Sequence, residues 1–546
     1  MKTYLRYVFS QIFLSFSKKE RYWFIGAFLI FIISFIAFLI FFIQSNTVMK
    51  PAGGGEYTEG IVGQPAFINP LFADENNADQ DITELTFSDL KNMIDSYQVS
   101  PDNKTFDVRL KPDIFWQDNQ PITSDDVLFT ISAVQDPDIN SPQAASWQGV
   151  KAERISEREF QLILPQPYAY FENILLDFKP IPKHIFENIP LTNLRLSEYN
   201  LEPVGSGPYK FTGYDKRRDG FVTKYSVEKS DSYFGPKPYI QKMNFNFYTD
   251  DSELVKAFNS SNIDGFAVNN FSQLNDITIP HQTFDIKMPR YYAVFFNQAN
   301  NPLLADKNLR IALNSAINKQ RIVNDVFGGK AITIDGPIVL DNSNNDEYNV
   351  DYANQLLDSE GWQMTDSGVR VKGNDRLEFN LTVYPIPFLI DTAKMIQEDW
   401  SKIGVRADIN LATLNNFTEQ VIRPRNYDML IFGNAYGENE DPYSFWDSTQ
   451  KFYPGLNFAL YDNKSVDSAI NSIRTEFDPN LREGEMEQLQ SAIIADQPAI
   501  FLYSPDYIYI ANNLLKGFEE QNLGLPSDRF ANIQNWFIKT TRVLKK

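Results

Sequence analysis

The sequence predicts a mixed α/β body attached to one N-terminal transmembrane helix. Predicted strands and helices alternate along residues 57–546, and 27 tyrosines and 44 phenylalanines among 546 residues supply a large aromatic core. Residues 22–43 read YWFIGAFLIFIISFIAFLIFFI, without a charge or a proline. As a helix this run would extend ~33 Å at ~1.5 Å per residue, which is enough to cross a bilayer.

The flanks of the apolar run predict its orientation. Basic residues precede it, so we expect residues 1–21 to stay in the cytoplasm and the body to lie on the extracytoplasmic side of the cell membrane. A cleaved signal peptide usually has a shorter apolar region and a small-x-small cleavage site, which QSNTVMK at 44–50 does not offer. We therefore predict an uncleaved single-pass anchor; a signal peptide cut within this polar stretch is the alternative. The basic residues are Lys2, Arg6, Lys18, Lys19 and Arg21.

Composition excludes several classes of function. Residues 1–50 carry six Lys or Arg and one acid, whereas the rest carries 44 Lys or Arg and 69 acids, so an acidic body should not bind nucleic acid. The absence of cysteine excludes disulfides, thiolate metal sites and lipid attachment at cysteine. We expect the two histidines, His184 and His281, to be structural, and we predict no metal site and no cofactor. PAGGG at 51–55, within a predicted linker at 44–55, is typical of a flexible spacer.

Local patterns predict the first elements of the body. TSDD at 123–126 is typical of a capped helix start, with an acid three residues after the threonine. EPVGSGPYKF at 202–211 predicts a turn in which Gly205 and Gly207 adopt backbone angles that a Cβ would strain. A hairpin follows, because side chains alternate over 221–228 and Asp219-Gly220 supplies turn residues.

Helix and strand signals continue through the second half of the chain. Apolar residues from Leu309 to Phe327 fall on one helical face, and Gly328-Gly329 would end that helix. A second helix places Ala393 and Trp400 on one side and ends at Gly404, before predicted strands at 405–411 and 427–433. This succession of helix and strand is typical of crossover units.

Seven segments of the chain, in their order along the sequence, resemble segments of the family 5 extracellular solute-binding proteins of ATP-binding-cassette importers. The likeness runs from Glu56 to the C-terminus, and attachment by a helix replaces the family's lipid-modified cysteine. The segments are INPL at 68–71, DNKTFDVRLKPDIFWQDNQPITSDDVLF at 102–129, PVGSGPY at 203–209, FFNQANNPLLADKNLRIALNSAINKQRIVNDVFGG at 295–329, IQEDWSKIGVRADI at 396–409, YDNKSVD at 461–467 and DQPAIFLY at 496–503.

The resemblance implies a two-lobed periplasmic-binding-protein fold of type II, in its large three-subdomain form. Lobe one would comprise about 56–80, 177–285 and 515–546, the extra subdomain about 81–176, and lobe two about 286–514. The implied function is capture of peptides and their delivery to the permease subunits of an importer.

The same resemblance implies candidate ligand-binding residues. Relatives hold the peptide's amino terminus with an aspartate four residues before the proline of an acid-proline pair, and in GNAYGENEDPYSFW at 433–446, where that proline is Pro442, the position is Glu438. Glu440 is the alternative, since a small shift of register exchanges the two. Tyr436, Asp441 and Trp147 complete the predicted set, with a solvated acidic loop and a core tryptophan as the structural alternatives.

An enzyme is not predicted. Paired carboxylates serve glycosidases, but accidental pairs are expected in a chain with so many acids. The sequence has no GxSxG, HExxH or P-loop motif, and no GxGxxG in a strand–helix setting. Two alternatives remain open: a ligand sensor or docking module with the same fold, and a binder of a non-peptide solute.

Overall fold

Two large mixed sheets and a four-stranded antiparallel sheet organise the body in the computed structural model, which describes residues 15–73, 76–339, 348–412 and 417–545. The mixed α/β prediction is confirmed. Lys2 and Arg6 of the basic segment lie outside the described residues. The strands are β1 (Thr47–Ala52), β2 (Glu56–Val62), β3 (Ile94–Val99), β4 (Thr105–Leu110), β5 (Lys151–Ser156), β6 (Glu159–Ile163), β7 (Tyr209–Lys216), β8 (Val222–Lys229), β9 (Lys242–Tyr248), β10 (Gly265–Ala267), β11 (His281–Ile286), β12 (Arg290–Phe296), β13 (Ala331–Thr333), β14 (Gln363–Met364), β15 (Arg370–Lys372), β16 (Asp375–Arg376), β17 (Glu378–Val383), β18 (Arg406–Leu411), β19 (Met429–Ala435), β20 (Ala499–Pro505), β21 (Tyr507–Asn512) and β22 (Lys539–Leu544).

Helices connect many of the consecutive strands, as Asp251–Asn259 does between β9 and β10. Thr123 caps the helix that was predicted at TSDD, and Asp126 completes a capping box with it. In the described part of the chain the α-helices are Lys18–Asn46, Asn77–Thr86, Leu90–Met93, Ser124–Gln135, Ala144–Trp147, Phe171–Leu176, Lys183–Phe186, Asp251–Asn259, Lys307–Ser315, Lys319–Phe327, Val350–Ser359, Pro387–Ser401, Tyr443–Trp446, Lys464–Thr475 and Pro479–Asp496.

The order of the strands within the sheets defines two lobes and one smaller subdomain. The seven-stranded lobe has the order β11-β21-β10-β2-β9-β8-β7, and the six-stranded lobe has the order β13-β20-β12-β19-β17-β18. The four-stranded subdomain has the order β3-β4-β6-β5. The chain passes between the two lobes after β11 and again after β20. The Arg290 guanidinium donates to the carbonyls of Pro505 at 3.3 Å and Asp506 at 3.1 Å, which joins the two crossings.

A crossover unit forms the edge of the six-stranded lobe, as the sequence predicts. β17 and β18 are parallel and are connected by the helix Pro387–Ser401. The side chains of Ala393, Ile396 and Trp400 on this helix are fully buried, which explains the apolar spacing. Gly404 then adopts a φ of 74°, a left-handed conformation suited to glycine after a helix.

The single helix predicted from Leu309 to Phe327 is wrong, because two helices occupy this stretch. They are Lys307–Ser315 and Lys319–Phe327, separated at residues 316–318. Asn318 caps the second helix by accepting the backbone N–H of Arg321 at 2.8 Å, so its side chain competes with continuation of the first helix. Gly328, with a φ of 58°, ends the second helix as expected.

The turn at 202–211 requires its glycines for a different reason from the one predicted. The predicted hairpin of β7 and β8 follows it, but neither Gly205 nor Gly207 has a positive φ, so the expectation of strained backbone angles is wrong. A Cβ on Gly205 would instead lie 1.8 Å from the carbonyl oxygen of Thr86, and one on Gly207 would lie 2.6 Å from that of Leu85. The turn therefore needs glycine because the backbone at 85–87 passes so close.

The N-terminal helix Lys18–Asn46 leads directly into β1. It is long and apolar enough to cross a membrane, and none of its side chains is buried against the body. β1 pairs antiparallel with β22 near the C-terminus, over Thr47–Ala52 and Lys539–Leu544. The segment expected to be a flexible spacer at 51–55 therefore begins inside an ordered two-stranded ribbon.

Candidate ligand-binding cleft

A cleft of about 430 Å³ separates the six-stranded lobe from the rest of the body. On one side lies the loop that follows β19, represented by Tyr436, Gly437 and Asn439. The opposite wall comes from the helix Asn77–Thr86 and the turn Pro526–Phe530 of the seven-stranded lobe, together with the four-stranded subdomain. The cleft thus lies where two lobes and the subdomain meet, and a change in the angle between the lobes would change its width.

Tyr436 stands on the cleft side of a buried aromatic group. Its ring packs on Phe445 with centroids 5.0 Å apart and on Tyr291 at 5.9 Å. The Tyr436 hydroxyl is buried without a hydrogen bond of good geometry to any described residue. The ring position is thereby fixed by apolar packing, and the hydroxyl can still accept or donate a hydrogen bond.

Glu438 lies in the short 3₁₀ turn Gly437–Asn439. Its side chain lies outside the described residues, so its predicted contact with a ligand ammonium stays a prediction. The competing residue, Glu440, is exposed and has a left-handed backbone with a φ of 46°.

Asp441 joins the six-stranded lobe to the four-stranded subdomain. Its Oδ2 accepts hydrogen bonds from the Tyr168 hydroxyl at 2.7 Å and from Arg474 Nε at 3.0 Å, while its Oδ1 accepts the backbone N–H of Tyr443 at 3.0 Å. Burial, followed by the nearby Asp441 charge, raises the pKa of Tyr168. Both carboxylate oxygens are occupied within the protein, which gives this predicted ligand residue a bridging role.

Two further hydrogen bonds near Asp441 connect the four-stranded subdomain to the six-stranded lobe. The backbone N–H of Ala169 donates to the carbonyl of Arg474 at 2.8 Å, and the Asn173 amide donates to Asn439 at 3.0 Å. Tyr170 is buried in the core of the six-stranded lobe. We refer to these interactions of residues 168–173 with the six-stranded lobe as the 168–173 contact.

Trp147 lines the cleft from within the core of the subdomain. The residue is only 1% exposed, and its ring packs on Phe178 with centroids 4.4 Å apart and on Phe171 at 5.4 Å. The structure therefore brings Trp147 to the same cleft as Tyr436, on the other side. With so little exposed surface, Trp147 mainly shapes that wall.

Sequence reasoning missed a group of charged residues on the wall opposite Tyr436. Lys179 is paired with Glu84 at 2.9 Å and with Asp89, and Lys91 is paired with Asp89 at 3.2 Å and Asp177 at 3.0 Å. Burial raises the pKa of Glu84 to about 7. No sequence motif marks this group, because residues near 84–91 and near 177–179 meet only through the fold.

The two histidines have local partners. His184 Nε2 lies 2.7 Å from Asp118 Oδ2, and His281 Nδ1 lies 2.8 Å from the carbonyl of Ile279. Within the described ranges, no three His, Asp or Glu side chains are grouped so as to hold a metal ion.

Two lobes of mixed α/β structure, connected by two chain crossings and separated by a cleft, define the class of type II periplasmic binding proteins, as predicted. The model of the bacterial extracellular solute-binding proteins, family 5 (middle region), matches residues 91–453. The chain therefore belongs to this family.

Comparisons with individual proteins agree with this assignment. The oligopeptide-binding protein AppA of Bacillus subtilis is 27% identical over 529 residues, covering 90% of this chain and 92% of AppA. The structure of that AppA with a nonapeptide superposes with a TM-score of 0.75 at 24% identity, over 90% of this chain and 100% of AppA. NikZ of Campylobacter jejuni, solved with Ni(L-His), gives a TM-score of 0.74 at 24% identity, over 88% of this chain and 99% of NikZ.

Proposed function

We propose that this chain captures peptides in the cleft, outside the cytoplasm, and delivers them to the permease subunits of an ATP-binding-cassette importer. The observation that carries this proposal is the 27% identity, over nine-tenths of the chain, to an oligopeptide-binding protein. The exposed helix Lys18–Asn46 holds the protein at the membrane, replacing the lipid anchor that a chain without cysteine cannot carry.

The cleft recognises the peptide main chain. An extended peptide pairs as an added strand, which tolerates varied side chains, and water fills the unused pocket volume. Glu438 receives the peptide ammonium, because a buried cation requires a carboxylate partner. Tyr436 and Trp147 shape the two sides of the cleft, Asp441 positions the loop, and closure of the lobes buries the ligand. No step of this mechanism requires catalysis or a cofactor.

One substitution in the protein, combined with one modification of the peptide, tests the role of Glu438. Glu438→Gln should weaken binding of a free tetrapeptide by tens-fold or more, since truncating one partner of a buried charge pair costs ~2–5 kcal/mol. Acetylating the peptide's amino terminus should weaken binding to the unsubstituted protein equally, and the two changes should not add. Glu440→Gln is the matched control and should leave affinity unchanged. Calorimetric titration of the full chain in detergent measures all combinations; equal affinity for free and acetylated peptides would exclude amine recognition.

Retention of the anchor is measured separately. We expect the mature protein to keep its N-terminus, to fractionate with membranes, and to expose its body to protease added outside the cell. A mature N-terminus located after Ile43 would show that the apolar segment is a cleaved signal instead.

A non-peptide solute is the second candidate, since NikZ, of similar fold, was solved with Ni(L-His). Mass spectrometry of small molecules that co-purify with the protein distinguishes the two, because peptides in the cleft predict a heterogeneous set of short sequences. A single non-peptide compound at full occupancy would replace the peptide proposal. Neighbouring genes for two permeases and ATPases would favour transport, and a gene without such neighbours would favour a sensor.

A further inference from the structure

Negative charge exceeds positive charge on the cleft wall opposite Tyr436. Four carboxylates and two ammonium groups line this wall, so the fully ionised set carries two excess negative charges. We call this group the acidic wall. Its members are Glu84, Asp89, Asp177, Asp528, Lys91 and Lys179.

The internal ion pairs do not neutralise the acidic wall. Each lysine is shared between two carboxylates: Lys179 between Glu84 and Asp89, and Lys91 between Asp89 and Asp177. In the part of the chain that the structure describes, the carboxylate of Asp528 forms no ion pair; its Oδ2 accepts the backbone N–H of Leu525 at 2.6 Å. Burial raises the pKa of Asp528 and of Glu84. These two carboxyl groups are therefore poorly compensated.

An unpaired hydroxyl lies beside these carboxylates. Thr83 lines the same cleft and is only 4% exposed, yet its Oγ1 has no hydrogen-bond partner among the described residues. A buried hydroxyl without a partner is unfavourable, and its oxygen can accept a hydrogen bond from an N–H group. This second observation indicates a polar group of the ligand in this part of the cleft.

We propose that the acidic wall is a subsite for a cationic ligand group, the ammonium or guanidinium of a basic side chain, so that the cleft prefers basic peptides. Thr83 and the carboxylates of Glu84 and Asp528 accept its N–H donors. The subsite lies on the wall opposite the loop that carries Glu438, so it is distinct from the contact proposed for the peptide's amino terminus. The inference rests on the proposed function for the identity of its ligand as a peptide.

The subsite should respond to pH. Because the pKa of Glu84 is raised to about 7, the empty site holds a proton below that pH and loses it when a cation binds. The titratable groups facing Glu84 are Lys179, Asp89, Asp528 and Tyr233. Affinity for a basic peptide should therefore rise between pH 6 and pH 8, whereas affinity for an uncharged analogue should change less.

Two matched tetrapeptides test the proposal on the full chain in detergent. Ala-Lys-Ala-Ala should bind at least about tenfold more tightly than Ala-norleucine-Ala-Ala, which lacks only the charge, because hydrogen bonds to charged groups are the stronger ones. Asp528→Asn and Glu84→Gln should each remove most of the preference for the lysine peptide, while the affinity for the norleucine peptide stays the same. Asp215→Asn is the control, since it deletes an exposed acid from the same lobe away from the cleft.

A second probe separates the subsite from the proposed function. Cadaverine, a diamine without a peptide bond, should raise the melting temperature of the protein, whereas pentanol should not, and Asp528→Asn should abolish the effect. If neither tetrapeptide binds but cadaverine stabilises, peptide capture fails and the cation subsite stands. If both tetrapeptides bind equally and cadaverine has no effect, the cation subsite is overturned and peptide capture stands.

Discussion

Replacing Gly205 with alanine should strongly destabilise the seven-stranded lobe. The added Cβ would lie 1.8 Å from the carbonyl oxygen of Thr86 and 2.8 Å from its carbonyl carbon, so the turn must move away from the end of the helix Asn77–Thr86. That same carbonyl oxygen accepts the backbone N–H of Ser206 at 3.0 Å and of Gly207 at 2.8 Å. Relief of the clash therefore breaks the bonds that hold the turn.

The magnitude follows from these two effects. Overpacking costs about 1–3 kcal/mol, and two lost hydrogen bonds cost about 0.5–1.5 kcal/mol each, which gives about 2–6 kcal/mol in total. Thermal and urea unfolding, followed by tyrosine and tryptophan fluorescence, measure this loss. Gly207→Val should also destabilise, because its Cβ would lie 2.6 Å from the carbonyl oxygen of Leu85.

Gly484→Ala is the control. Gly484 lies within the helix Pro479–Asp496, and apart from the adjoining helix backbone no described atom lies within 4 Å of the place that an added Cβ would take, so alanine there should stabilise by about 0.5–1 kcal/mol through helix propensity. If Gly205→Ala unfolds at the same temperature and urea concentration as the original protein, the close approach to Thr86 does not require glycine and the argument is refuted.

Two further predictions concern the 168–173 contact and a buried carboxyl group. Tyr168→Phe should shift the ligand-free protein toward an open form by a factor of about 10–100, because it removes the hydrogen bond from the Tyr168 hydroxyl to Asp441, and a hydrogen bond to a charged group is worth about 1.5–3 kcal/mol. The shift should be visible as a larger radius of gyration in small-angle scattering. Tyr443→Phe, whose hydroxyl bonds to Thr449 within the six-stranded lobe, should not change the radius. Burial raises the pKa of Glu59 from 4.5 to about 7, so the native state binds this proton more tightly than the unfolded state, and the contribution of Glu59 to stability falls as pH rises from about 4.5 to 7. Between pH 5 and pH 8, the free energy of unfolding of Glu59→Gln should therefore rise, relative to that of the original protein, by on the order of 2–3 kcal/mol in urea titrations. A difference in free energy that stays constant across that range would contradict the raised pKa.

The sequence predicted best where one local pattern determines one local structure. The capping box at Thr123, the crossover helix ending at Gly404 and the hairpin of β7 and β8 depend on neighbouring residues, and all three are confirmed. Prediction from the sequence failed where a contact between residues far apart in the chain determines the local structure. Gly205 is required by the backbone of Thr86, more than a hundred residues away, and no local pattern reports that approach.

The candidate site shows the same contrast between residues that a local motif identifies and residues that only the fold brings together. The loop at 436–441 follows a recognisable family motif, so its residues could be nominated from the sequence. The acidic wall could not, because residues 84–91, 177–179 and 528 become neighbours only after the seven-stranded lobe and the four-stranded subdomain have formed. Asp441 was nominated as a ligand residue, and nothing in its local sequence indicated the bonds to Tyr168 and Arg474 that occupy its carboxylate.

The chemistry of the 168–173 contact fits a protein that must open. Apart from the buried Tyr170 and the Arg474 guanidinium over the Tyr168 ring at 4.6 Å, it consists of hydrogen bonds, which water can replace when the four-stranded subdomain and the six-stranded lobe separate. The chain crossings differ, because Arg290 ties them together through the carbonyls of Pro505 and Asp506. In the proposed mechanism, weak contacts across the cleft and firm ones at the crossings would let the lobes rotate about a fixed hinge. Ligand contacts on both walls then need to contribute only a few kcal/mol to favour closure.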